Sequence, residues 1–263
     1  RPGARIGAMS VLGTAFMALS VILALLTNLL CPLSSEAAQR VIPSQRSIGK
    51  LEPVAFFDGP MPTGVTVSAQ GRIFVNFPRW GDDVPFTVAE LVAGKAVAYP
   101  NAEINRCNLS SVRDHLLSVQ SVVIDGKDRL WLLDTGSPKF EPVVRESAKL
   151  VCVDLASNKV VQTIYMPVST AFSGSYLNDV RFDLSRGKAG MAFITDSSST
   201  CPGIVVVDLA SGESWRRLGD HVSVRPVSGF LPMVEGEPLP DLHVGSDGIA
   251  IGADGKRLFY CPL

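Results

Sequence analysis

The chain has little from which to build helices. Beyond its N-terminal segment the best amphipathic candidate, residues 109–117, is short. It also lacks an excess of charge of one sign: 24 Lys and Arg meet 25 Asp and Glu, for a net charge of −1 and a pI near 6.4. A nucleic-acid surface needs clustered Lys and Arg, so that class of partner is excluded. No GxSxG elbow, phosphate-binding loop or GxGxxG is present, which removes the common hydrolase and nucleotide-binding signatures. There is no CxxC and no Cys/His group at zinc spacing. The three histidines, His115, His221 and His243, stand in unrelated loops without a recognisable catalytic partner and read as packing or surface residues.

What is present repeats. VVIDGKDRLWLLDTG (residues 122–136) is two apolar, β-rich runs around an Asp/Gly turn, the pattern of a hairpin. VTVSAQGRIFVN (65–76), VRFDLSRGKAGMAFITD (180–196) and IAIGADGKRLFY (249–260) have the same design. Their anchors Val65, Val122, Val180 and Ile249 are 57, 58 and 69 residues apart. A second hairpin lies between these, marked by VDLAS at 153–157 and again at 207–211, with a shorter version at 87–98. Each period therefore holds four strands. Such a sheet exposes two apolar faces and needs a neighbour on each side, which stacking around an axis supplies. The expected fold is all-β, a β-propeller, with an ordinary β-sandwich as the alternative. Hydrophobic content of 46% allows a sizeable core, and 23 Gly with 18 Pro suit a chain made of turns. The fourth hairpin stops at its second strand, so the sequence reads as a fragment of three and a half blades, truncated at the C-terminus.

Three regions are expected. Residues 1–38 hold an uncharged apolar run (8–30) behind Arg1 and Arg5, followed by small residues at Ser35 and Ala37. That is a signal peptide cleaved after Ala37 or, since about 20 apolar residues also span a bilayer, a retained anchor. Residues 39–52 read as a linker and 53–263 as the partial propeller, with strand character in PVAFFD (53–58). The globular part is expected to be secreted or periplasmic, with no membrane contact beyond the N-terminal segment. Cys107, Cys152, Cys201 and Cys261 allow three disulfide pairings, and the sequence does not choose among them.

In a propeller the first strand of each blade lines the central channel, and the residues leading into it face one mouth. Those residues are Thr63, Gln120, Asn178 and Asp247, four oxygen-bearing side chains with one carboxylate. Converging on an axis they could bind a small organic ligand or, through Asn178 and Asp247, a hard divalent cation such as Ca²⁺. Alternatively, Asn178, Asp179, Ser246 and Asp247 cap the turns into their strands. In the loop FPRWGDDVPF (77–86), Arg79 and Trp80 either line a mouth of the ring or pack the loop locally. The remaining repeat aspartates (Asp125, Asp134, Asp154, Asp183, Asp196, Asp208) fall where turns need them.

Several ordered motifs carry a resemblance: RLWLLDTG (129–136), SYLNDVRFD (175–183), FITDSSS (193–199) and SDGIAIGADGKRLFYCPL (246–263). From about Pro53 to Leu263 the chain resembles the major royal jelly protein/yellow family. The resemblance implies a secreted six-bladed propeller that binds small organic molecules. Some members are named for dopachrome conversion, and bacterial ones as dopachrome tautomerase-related. More remotely, the NDV and SDG motifs are similar to those of the gluconolactonase/senescence marker lactonases. There a divalent metal is held by Glu, two Asn and Asp, and the Asp assists hydrolysis. Asn178 and Asp247 match the second Asn and that Asp, which makes Asp247 the candidate catalytic residue. Thr63 and Gln120 stand where that family has Glu and the first Asn, so one charge is lost. Three functions are expected to compete: a ligand-binding propeller with dopachrome tautomerase-like activity, a metal-dependent lactonase, and a non-enzymatic scaffold for a protein partner.

Overall fold

Alternation with a period of two builds the sheets, and here both faces of the pattern are apolar. In the computed structural model, which describes residues 49–219, 221–239 and 242–263, the run Arg129–Asp134 is a strand whose Leu130 and Leu132 point one way and Trp131 and Leu133 the other. All four side chains are fully buried. A strand apolar on both faces must be sandwiched between neighbouring layers.

Three four-stranded antiparallel sheets follow one another in sequence order. The first is β1 (Gly64–Val67), β2 (Ile73–Asn76), β3 (Val88–Val92) and β4 (Lys95–Ala98). The second is β5 (Val119–Ile124), β6 (Arg129–Asp134), β7 (Lys149–Asp154) and β8 (Lys159–Tyr165). The third is β9 (Leu177–Asp183), β10 (Met191–Asp196), β11 (Gly203–Asp208) and β12 (Ser214–Arg217). A minor hairpin, β13 (Met233–Val234) with β14 (Glu237–Pro238), precedes a two-stranded sheet of β15 (Ser246–Ile251) and β16 (Leu258–Pro262). Pro53–Leu263 is one compact unit.

The sheets pack face to face as blades. Leu130, Leu132, Val151 and Val153 of the second meet Phe74, Val88 and Tyr99 of the first. Trp131, Leu133, Leu150 and Cys152, from its opposite face, meet Val180, Ala192, Ile194, Val205 and Val207 of the third. Ile204 and Val206 pack with Leu258 and Tyr260 of the fourth. Neighbouring blades are tied near the channel by side-chain hydrogen bonds, two between innermost strands and one from β10 to β15. Thr66 Oγ1 accepts from Ile124 N at 3.0 Å, Ser121 Oγ donates to Asp179 Oδ1 at 2.7 Å, and Thr195 Oγ1 donates to Asp247 O at 2.7 Å. The fold is a partial β-propeller, and Val65, Val122, Val180 and Ile249 all fall on innermost strands.

Two stretches singled out in the sequence form no regular element. Residues 109–117 form turns instead of a helix, because Asn108 Oδ1 accepts from Ser110 N and Ser111 Oγ donates to Asp114, offering the backbone a local alternative. Residues 53–58 form no strand; Phe57 instead packs edge-on against Phe77, 5.5 Å between centroids. The apolar run, Cys31 and the cleavage site at Ala37 lie outside the described residues. No helix among the described residues is long and apolar enough to cross a membrane. The four cysteines from Cys107 onward are unpaired: Cys107 and Cys261 are exposed, Cys201 half-buried and Cys152 buried. Burial pushes the Cys152 thiol up to about 11.

Candidate functional site

Each innermost strand begins at the same end of the channel. Thr63 leads into β1, whereas Gln120, Asn178 and Asp247, expected just before their strands, are the second residues of β5, β9 and β15. Thr63, Gln120, Asn178 and Asp247 all line one cavity of about 520 Å³. The structure thus brings together the four residues proposed for the channel mouth. They are not equivalent. Thr63 Oγ1 donates to Gln120 O at 3.3 Å and accepts from Asn76 Nδ2 at 2.8 Å. Gln120 Oε1 accepts from the Tyr176 hydroxyl at 2.9 Å. The side chains of Asn178 and Asp247 take no hydrogen bond from any other described residue, which leaves them available to a ligand.

Asp247 is the chemically distinctive member. Burial, and then the negative charge of Asp179, push its carboxyl above the usual carboxylate range. A carboxyl poised nearer neutrality is better suited to exchanging protons than one deep in the acid range.

Among the other residues that line the cavity are Ser121 and Arg181, not picked out from the sequence, and Asp179, read there only as a possible turn cap. Asp179 Oδ1 accepts from Ser121 Oγ at 2.7 Å and from Arg181 Nη1 at 2.8 Å. The signal available was the strand LNDVRFD itself, in which Asp179 and Arg181 alternate with the fully buried Val180. Two charged residues at i and i+2 on an innermost strand share the face that the channel leaves open.

An aromatic cluster sits at the same mouth. Trp80 Nε1 donates to the Tyr176 hydroxyl at 2.5 Å, and that hydroxyl reaches Gln120. Phe140 lies between them, with ring centroids 5.5 Å from Trp80 and 5.1 Å from Tyr176. Burial pushes the Tyr176 phenol up. Phe140 is 59% exposed and, with its neighbour Lys139, has a left-handed backbone (φ 57° and 58°). Of the two loop residues singled out, Trp80 belongs to this rim. Arg79 does not: its guanidinium donates inward to the carbonyls of Leu116, Leu117 and Asn105.

The donor set does not fit a hard cation. Asn178, Gln120 and Thr63 are neutral, Asp179 is already paired, and Arg181 adds a positive charge to the same cavity. Among the described residues no three His, Cys, Asp or Glu side chains converge as ligands. Calcium sites gain affinity from carboxylate number, and here a single carboxylate is free. The histidines serve structure or lie at the surface. His115 Nδ1 donates to Glu103 O at 3.0 Å, His221 Nδ1 accepts from Ser223 N at 3.2 Å, and His243 is exposed.

Blades around a polar hub with an aromatic rim define a partial β-propeller. Residues 117–263, more than half of the chain, match the family model described as major royal jelly protein, and the chain belongs to that family. It is 28% identical over 182 residues to L-dopachrome tautomerase yellow-f of Drosophila melanogaster, covering 65% of this chain and 42% of that protein. It is 26% identical over 165 residues to dopaminechrome tautomerase of the same fly, covering 59% and 35%. Yellow-related salivary protein SP03B of Phlebotomus perniciosus is 25% identical over 228 residues, covering 80% and 55%. The chain therefore spans between about a third and just over half of the length of these relatives.

Proposed function

We propose that the chain binds a small aromatic ligand derived from a catechol at the channel mouth and tautomerises it. The observation that carries this reading is the convergence of Asn178 and Asp247, both without protein partners among the described residues, in one cavity beside an aromatic rim. In an aminochrome, tautomerisation to the dihydroxyindole takes two shifts, each moving a proton from a ring carbon to a quinone oxygen. The C–H electron pair enters the ring, the carbonyl becomes a hydroxyl, and no oxidant is consumed. Asp247 would accept the carbon-bound proton, and the side chain of Asn178 would hold the ligand oxygen. Two of the relatives are named as tautomerases of such compounds. We also propose that the protein works outside the cytoplasm, in line with its salivary relative and the apolar N-terminal run.

The test is the decay of aminochrome absorbance with purified wild type and Asp247→Asn. General acid–base catalysis contributes about 10²–10⁴-fold, so the variant should lose at least about 10²-fold in rate. Equal rates would refute the role of Asp247.

A further inference from the structure

We infer that Arg181 makes the hub selective for ligands bearing a carboxylate, an inference that rests on the reading of the hub as an aromatic-ligand site. Arg181 is the only Lys, Arg or His among the residues that line the cavity. Its Nη1 is fixed at 2.8 Å from Asp179 Oδ1 and 2.7 Å from Val180 O. Asp179 is itself held by Ser121 Oγ at 2.7 Å, so the anchor belongs to two blades. Nε and Nη2 have no acceptor among the described residues. This is the edge of a guanidinium that receives a carboxylate side-on through two parallel hydrogen bonds, a geometry lysine cannot reproduce.

Depth and charge agree with this. Three residues at a strand rise of about 3.3 Å put Arg181 about 10 Å down the channel from Asn178, a depth that a fused two-ring aromatic acid can span. Asp247 at the mouth repels a carboxylate, so a bound acid is oriented with its carboxylate inward and its ring towards Asp247 and the aromatic rim. The Arg181–Asp179 pair is neutral as a unit, and selectivity therefore comes from unmet N–H donors, not from a long-range field. A site built to hydrogen-bond a group rejects an analogue that lacks it, because the donors are left unpaired. With the Arg181 side chain 35% exposed, water softens that penalty, and we expect discrimination of about 10- to 100-fold, below the larger factors of fully buried sites.

The experiment compares L-dopachrome, which carries a carboxylate, with dopaminechrome, which does not, on wild type, Arg181→Met and Arg181→Lys. Wild type should favour the acid by about 10-fold or more in kcat/KM, mainly through KM. Arg181→Met should lose that preference, with turnover of the acid falling about 10-fold or more further than that of dopaminechrome, and Arg181→Lys should not restore it. As a binding readout independent of activity and of the variants, indole-2-carboxylate should raise the Tm of wild type and indole should not. Equal handling of the two chromes by wild type, or a loss shared equally in Arg181→Met, would overturn the inference while leaving the hub reading intact. If neither chrome is turned over and neither indole shifts Tm, the hub reading fails and the inference with it.

Discussion

Lys149 Nζ stands 3.1 Å from Asp134 Oδ2 with almost no exposure of either side chain. The ammonium also donates to the carbonyls of Val112, His115 and Ser147, and Asp134 accepts from the backbone N–H groups of Leu117, Ser118 and Gly136. One buried ion pair thus ties β6 and β7 to the segment that leads into the innermost strand of the second blade. Asp196 and Arg216 repeat the arrangement in the third blade at 2.9 Å, with Asp196 accepting from Tyr176 N.

Removing one partner of a buried pair strands the other. Lys149→Met should destabilise the protein by about 3–5 kcal/mol. Adding Asp134→Asn should cost less than the sum of the single changes, since the orphaned charge is then gone. Urea denaturation of the two single variants and the double variant measures this.

Asp247→Asn should stabilise the fold while lowering the rate at least about 10²-fold. A carboxyl with a raised folded-state pKa holds its proton more tightly in the fold, so stability falls as pH rises from the unfolded value through the raised one. Wild type and variant should melt together below about pH 4, near the unfolded carboxylate value, and diverge above it with the variant higher. Melting curves across pH 3–8 would decide it.

Gly64→Ala would place a methyl against Asn76 Oδ1. Asn76 is fully buried, and its Nδ2 donates to Thr63 Oγ1 and to Val119 O, so it has nowhere to go without breaking the link between the first two blades. A loss of about 1–3 kcal/mol is expected, the usual cost of overpacking. Combining it with Asn76→Ala should be less than additive in denaturant titrations.

Tyr176→Phe removes the hydroxyl that joins Trp80 to Gln120. Stability should fall by about 1 kcal/mol, the typical worth of a hydrogen bond. The emission of Trp80 should change, which fluorescence reads directly against Trp131 and Trp215 as a constant background.

Metal removal should change nothing. Incubation with EDTA is expected to leave both Tm and aminochrome turnover unaltered; a chelator-sensitive activity restored by Ca²⁺ would revive the lactonase alternative at Asn178 and Asp247.

The blades were legible because period-two runs and the VDLAS turn recur, and β7 and β11 both end at the Asp of that motif, Asp154 and Asp208. The longer step of 69 residues is explained by the β13–β14 hairpin inserted before the fourth sheet. The mouth residues were legible for the same reason, since their position follows from strand order alone. Arg181 and Asp179 were not, because their partnership with Ser121 depends on how two blades meet 58 residues apart. Trp80 and Tyr176 are separated by 96 residues, a distance over which no local pattern reports contact. The failure at residues 53–58 has the opposite cause: the β-rich composition is there, but among the described residues no strand pairs with it.

That the hub is where this protein meets its ligand is tested most directly by amide hydrogen exchange with and without saturating L-dopachrome or indole-2-carboxylate. Protection should appear at residues 63–66, 120–123, 178–181 and 247–248, four stretches far apart in sequence and joined only at the channel. Protection confined to the outer strands or surface loops, with these four stretches unchanged, would contradict the account.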